Sequence, residues 1–280
     1  MTNKITIRKG QLALLAKEGD YQVLETGEHR LPWFGKKPDV LIVNRDGSEV
    51  PAGLAEYLRR FQPEWVEKYC LAADLGDNEA GALYLNGMLL EILPPATRRL
   101  YWKADDTLTL VRLNTDEVSV PADILNAVLQ PKRGAAVKGR DAILVVQVPA
   151  WHAGVLKIDG ETQALLPAGI SGYWKVNHLV EAEVVDLRLQ VLEVSGQEIL
   201  TKDKVTLRLN LAANWRYSDL LSAFAQLSKP LDHLYRELQF ALREAIGTRT
   251  LDELLEDKQI IADVVSVQVA NRMAAFGIEV

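Results

Sequence analysis

Short runs of alternating apolar and polar residues fill most of the chain up to about residue 217, and a longer period takes over after it. Val40, Ile42 and Asn44 repeat with a period of two. So do Val205, Leu207, Leu209 and Leu211, which alternate with Thr206, Arg208 and Asn210. That spacing predicts strands with one face in a core and one in water. From Ser218 the period becomes helical. Ser218 reads as the N-cap of a helix over 219–227, and Pro230 as the first-turn proline of a longer one that Gly247 stops. In that helix Leu231, Leu234, Tyr235, Leu238, Leu242 and Ile246 form a stripe, with Arg236, Glu237, Arg243 and Glu244 facing away. Thr250 and Glu253 match a capping box, residues 258–277 carry a last helical pattern, and 277–280 (GIEV) look like a returning strand.

The strand-rich part repeats itself. Residues 9–51 can be laid over 79–121, and a third copy starts at Ala150. Gly10, Gly81 and Gly154 correspond in this alignment, as do Trp33, Trp102 and Trp174, and Val50-Pro51 matches Val120-Pro121. Each copy reads as a small antiparallel meander. Asn86-Gly87 and Asp159-Gly160, set between apolar runs, supply the positive φ angles of two-residue hairpin turns. The three tryptophans read as plugs at the ends of small β-cores rather than as stacking platforms for sugars or bases. Leu54, Tyr57, Leu58 and Phe61 predict an amphipathic connecting helix within 52–71, and the basic, Gly-containing stretch 130–142 reads as a linker. The expected domains are 1–71 (first repeat and helix), 72–141 (second repeat, short helix and basic linker) and 142–280, which contains the third repeat.

At 280 residues the chain accommodates two or three domains, and its 48% apolar and 25% charged residues are those of a folded globular protein. A net charge of −6 argues against nucleic acid as a partner. Cys70 stands alone, so no intrachain disulfide forms, and its expected place is a buried apolar one. The first residues lack the apolar core of a secretory signal. The longest uncharged run, Ala142 to Leu156, contains Gln147, Pro149 and His152 and falls short of the roughly 20 apolar residues of a spanning helix.

Catalytic chemistry finds no support in the pattern. The fragment GAAVKGR lacks the context of a phosphate-binding loop. His29, His152, His178 and His233 are scattered, without metal-ligand spacing. The pairs Glu181/Glu183 and Asp252/Glu253 read as solvated faces, and Ser195 and Ser222 have no base at recognisable spacing. The expectation is therefore no catalytic, cofactor-binding or metal site, and no enzyme.

Asp186-Leu187-Arg188, the QEILTKDKVTL run from Gln197 to Leu207, the LREAIGTRT helix end, LDELL from Leu251 to Leu255 and the closing FGIEV together resemble the SPFH or Band 7 domain, and within it the slipin and stomatin branch. The similarity covers about Trp151 to Val280. It implies an α+β fold in which the last of the repeated antiparallel β-meanders becomes an SPFH-type domain with C-terminal helices. It also implies a non-enzymatic, homo-oligomeric scaffold that organises membrane-associated proteins, peripheral at the inner face of a membrane on the cytoplasmic side, with a membrane-bound partner of the NfeD type. Such proteins usually carry an N-terminal hydrophobic hairpin, whose place two extra β-copies take here, and continue past the position of Val280 into a long helical segment. The alternative reading is a soluble protein-binding module that uses exposed strand edges of its repeated β-units.

Overall fold

The computed structural model describes residues 4–17, 20–31, 39–104, 107–257 and 259–280. Backbone contacts divide the α+β chain into two units, residues 1–145 with 171–178, and residues 146–170 with 179–280.

One plan recurs three times along the β-rich part. Strands β1 (Lys4–Ile7) and β4 (Gly27–Arg30) form one pair, while β2 (Gln11–Lys17), β3 (Asp20–Leu24) and β5 (Val40–Asn44) form a sheet ordered β3-β2-β5. Next, β6 (Cys70–Asp74) pairs with β9 (Arg98–Trp102), and β7 (Glu79–Leu85), β8 (Met88–Leu93) and β10 (Leu108–Asn114) form the sheet β10-β7-β8. Last, β11 (Ile143–Val148) pairs with β14 (Gly169–Trp174), and β12 (His152–Ile158), β13 (Glu161–Leu166) and β15 (Val180–Asp186) form the sheet β13-β12-β15. The central strands start in matching register, Gln11 opposite Asn44, Glu79 opposite Asn114 and His152 opposite Asp186. Asn86-Gly87 and Asp159-Gly160 take positive φ angles of 53° and 72°, and 52° and 86°, as their hairpins require. This register corrects one correspondence. Gly81 and Gly154 are equivalent positions inside β7 and β12, whereas Gly10 lies in the turn before β2, because the first copy's opening is spaced differently from the second's.

Each central strand buries alternate residues on opposite sides. Ala13 and Leu15 join Ile7 and Leu24 in one cluster, and Leu83 joins Leu75, Leu93, Tyr101 and Leu108 in its counterpart. Leu12 and Leu14, and likewise Ala80 and Ala82, face the other way, beneath α1 (Ala52–Phe61) and α3 (Ala122–Leu129). Those second cores are completed by a tryptophan that follows in sequence, Trp102 in the first and Trp174 in the second, 3% and 2% exposed. The same backbone bonds hold both. Trp102 and Trp174 donate to the carbonyls of Ser48 and Val118 at 2.9 and 2.8 Å, and Val50 and Val120 donate to those of Leu100 and Gly172 at 2.8 and 2.9 Å. Both tryptophans are core plugs. Trp33 lies outside the described residues.

The connecting helix predicted over 52–71 is two helices, α1 and α2 (Pro63–Tyr69), because Pro63 restricts Gln62 and opens a new first turn. Phe61, placed on the buried stripe by its spacing, is 57% exposed at the end of α1. The basic stretch 130–142 runs along the edge of β8, where Ile92 donates to the Lys138 carbonyl at 2.9 Å and Lys138 to that of Leu90 at 3.1 Å.

In the second unit β16 (Gln190–Leu200), β17 (Thr206–Tyr217) and β18 (Ile278–Glu279) form an antiparallel sheet, with α4 (Leu220–Gln226), α5 (Pro230–Gly247), α6 (Leu251–Glu256) and α7 (Gln259–Ala274) between its strands in sequence. Val194, Ile199 and Trp215 pack against Leu234, Leu238, Leu242 and Ile246 of α5 and Val265, Val269 and Met273 of α7. Each fully buried side chain of this kind contributes about 1.5–3 kcal/mol over an exposed one. Leu207, Leu209 and Leu211 border this core, while Thr206, Arg208 and Asn210 face solvent, as the alternation predicts. Two details differ from the pattern. The cap of α4 is Asp219, one residue after the expected Ser218, and its carboxylate accepts from Ser222 N–H at 3.2 Å. Leu231, on the expected stripe, is 43% exposed in the first turn of α5.

The capping box of α6 forms as its spacing predicts, with Glu253 N–H donating to Thr250 Oγ1 and Thr250 N–H to Glu253 Oε2. Thr250→Ala is expected to lower stability by about 1 kcal/mol, read as a shift of the denaturant midpoint at unchanged slope.

Candidate functional site

The residues considered for chemistry lie apart. The His29 ring meets the Glu25 carbonyl at 2.7 Å, His152 Nδ1 meets that of Ala150 at 3.0 Å, and His233 stacks edge-on with Phe276 at 5.2 Å. His178 lies between β14 and β15. Among the described residues no group of three His, Cys, Asp or Glu side chains is close enough to hold a metal ion. Glu181 and Glu183 share β15, where Glu183 pairs with Lys157 at 3.8 Å. Asp252 and Glu253 stand in the first turn of α6, and Glu253 serves its capping box. Ser222 Oγ donates to Asp219 at 2.7 Å, inside the cap of α4, and Ser195 sits at the bulge of β16. Cys70 is buried, and burial pushes its thiol up to about 11. Because the thiolate is the nucleophile, labelling by a disulfide reagent at pH 7.5 should be slow in the native protein and fast in denaturant.

Among the described residues Ala96, Trp151 and Lys204 take positive φ without being glycine, asparagine or aspartate, and the bulkiest of them, Trp151, lies in the turn between β11 and β12. His152 N–H donates to the Pro149 carbonyl at 3.2 Å, closing a turn with Trp151 at its third position, at φ +65°. Glycine or asparagine normally occupies that position, since a Cβ there costs about 1–2 kcal/mol. The matching turn of the first meander, closed by Gln11 N–H on the Arg8 carbonyl at 3.0 Å, has Gly10 at φ +80°. Trp151 is also 74% exposed. A large aromatic thus occupies a glycine's backbone niche and points its ring at solvent.

The Trp151 carbonyl accepts from Leu187 N–H at 2.9 Å, which ties the turn to the start of a run where Leu187, Leu189 and Val191 are 37%, 64% and 63% exposed. Asp186 anchors that run by accepting from Arg188 N–H at 3.0 Å and from its guanidinium Nη2 at 2.5 Å. The Arg188 bonds hold the Asp186 carboxyl well below the usual carboxylate range, so it stays ionised through mild acid. Spacing alone misses this tip. The signal in the sequence is that, once the copies are aligned by strand register, a tryptophan falls opposite a glycine.

The SPFH domain / Band 7 family model matches residues 146–280. A stomatin homolog of Pyrococcus horikoshii is 40% identical over 78 residues, which cover 28% of this chain and 29% of that protein. Stomatin-3 of Caenorhabditis elegans is 34% identical over 98 residues (35% and 37%), and a Band 7 protein of Drosophila melanogaster is 33% identical over 96 residues (34% and 19%). The chain spans less than two fifths of the length of each of these relatives. The order of strands, capped helices and returning strand in the second unit agrees with the match. Residues 146–280 thus form an SPFH or Band 7 domain, and the relatives to which this part of the chain is similar include stomatin homologs.

Proposed function

We propose that this protein is a non-enzymatic, self-assembling scaffold of the stomatin type, which rests on a membrane surface through the Trp151 tip and gathers membrane-bound proteins there. The observation that carries the membrane contact is the strained, exposed Trp151, whose carbonyl bonds to Leu187 at the start of a run with exposed Leu187, Leu189 and Val191. Backbone strain persists where function retains it, and tryptophan is the residue enriched at the membrane–water boundary. Among the described residues no helix is long and apolar enough to cross a membrane, so the reading is one of contact from one side. With a net charge of −6 on the chain, binding should follow apolar burial and depend little on salt. The family match supports the scaffold and its self-assembly, and a membrane-bound partner of the NfeD type fits the same reading. The recurrence of equivalent hydrogen bonds around Trp102 and Trp174 supports a second part of it, in which the two N-terminal meanders are repeats of the one that opens the SPFH domain.

The turn yields an unusual test, because function and stability should move in opposite directions. Trp151→Gly is expected to raise stability by about 1 kcal/mol by relieving the positive φ. The same substitution should abolish co-sedimentation with phosphatidylcholine vesicles. A variant that binds vesicles as well as the unaltered protein would remove the tip from the mechanism.

A further inference from the structure

In the first unit a cleft of about 500 Å³ opens between the β7–β8 hairpin and α3. Tyr84, Leu85, Met88 and Leu89 line one side, and Ala127 and Val137 the other. The first meander has the same elements, and there the space is filled. Helices α1 and α3 begin identically, with Ala55 and Leu125 donating to the carbonyls of Pro51 and Pro121 at 2.8 and 3.0 Å. Tyr57 therefore holds in α1 the position that Ala127 holds in α3. The hairpins match as well, since Ala16 opposes Tyr21 as Tyr84 opposes Leu89, and Lys17 opposes Asp20 as Leu85 opposes Met88. In the first meander the Tyr57 ring lies edge-on to Tyr21 at 5.3 Å and against Phe61 at 5.1 Å, and its hydroxyl donates to Asp20. In the second, alanine takes the place of that tyrosine and an apolar-walled space remains.

Arg133 and Asp123 are the charged residues that line the cleft, and Lys132, Lys138 and Arg140 are exposed on the same 130–142 stretch, against Asp141, in a chain whose overall balance is negative. The stretch is held in place by the Lys138 bonds to β8. We infer that this cleft receives one aromatic side chain of an acidic partner segment, which enters where Tyr57 lies in the first meander while its flanking carboxylates meet Lys132 and Arg133. A single buried aromatic in a formed pocket is the usual anchor of such contacts, and the rim supplies complementary charge and orientation. The inference does not depend on the membrane reading, because every residue it uses precedes the SPFH domain.

The test uses the full chain and a fluorescein-labelled peptide, Gly-Asp-Glu-Phe-Glu-Asp-Gly, read by anisotropy at low salt. Binding is expected, with loss when the peptide's Phe is replaced by Ala. Binding should weaken roughly tenfold or more in Ala127→Tyr, which refills the cleft as α1 does, and in the double variant Lys132→Glu, Arg133→Glu. Failure of N-acetylphenylalanine amide to compete at tenfold excess over the peptide separates a peptide site from a small-molecule one, and full competition would overturn the peptide assignment. Absence of peptide binding by the folded chain, or equal binding by a folded Ala127→Tyr, would overturn the inference. Should Ala127→Tyr not fold, a benzoylphenylalanine version of the peptide decides on the unaltered chain. An adduct at Met88 or Tyr84 supports the cleft, and adducts elsewhere refute it.

Discussion

Trp174→Ala should cost about 3–5 kcal/mol, the range for removing a large aromatic from a packed core. The side chain is 2% exposed and shares its cluster with Ala80, Ala82, Ile92, Ile124 and Leu125, so its loss leaves a void that two small alanines cannot close. Trp174 comes from β14, yet it completes the core beneath α3, and amide exchange should accelerate first in α3 and in the segment 118–120 that bonds to it. Trp174→Phe is the control. The indole Nε1 of Trp174 is buried without a hydrogen-bond partner among the described residues, so phenylalanine gives up volume but no bond and should cost well under half as much. Equal losses in the two variants would mean that the indole nitrogen has a partner in the native protein.

The second large effect belongs to Gly277, which turns the chain from α7 into β18 at φ +68°. A Cβ there would lie 2.2 Å from the Asp219 carbonyl oxygen, and the Gly277 carbonyl itself accepts from Ser218 and Asp219 at 2.8 and 3.0 Å. Neither backbone can yield without freeing the last strand and the start of α4. Gly277→Ala should therefore cost about 2–4 kcal/mol, combining left-handed strain with displacement of both segments. Gly160→Ala sets the scale for strain alone. Gly160 has φ +86° with nothing within 4 Å of the added carbon, and its substitution should cost only about 1 kcal/mol. Chemical denaturation of the two variants side by side checks the difference.

What was legible in the sequence was local. Hairpin turns at Asn86-Gly87 and Asp159-Gly160, the Pro230 start of α5, the Thr250 capping box and the alternation along β17 depend on neighbours a few residues apart, and each formed as its chemistry requires. Departures came at element ends, where Asp219 rather than Ser218 caps α4, one residue later than its spacing suggests, and Pro63 splits a helix whose apolar spacing ran through it. Cross-chain completion was harder still. Nothing near Trp102 or Trp174 in sequence says that each fills the core of the preceding meander, since the partners are Leu12, Leu14 and Leu58 in one case and Ala80 and Ile124 in the other. The Trp151 tip was missed for a related reason, because a positive φ at tryptophan becomes conspicuous only once strand register places Gly10 opposite it.

A scaffold that gathers on a membrane surface must do two things at once, associate with itself and hold lipid. The most direct measurement is light scattering of the intact chain combined with sedimentation against phosphatidylcholine vesicles at low and high salt. Assemblies of several copies that pellet with the vesicles at both salt concentrations are predicted. A chain that scatters as a monomer and stays in the supernatant would contradict the scaffold reading.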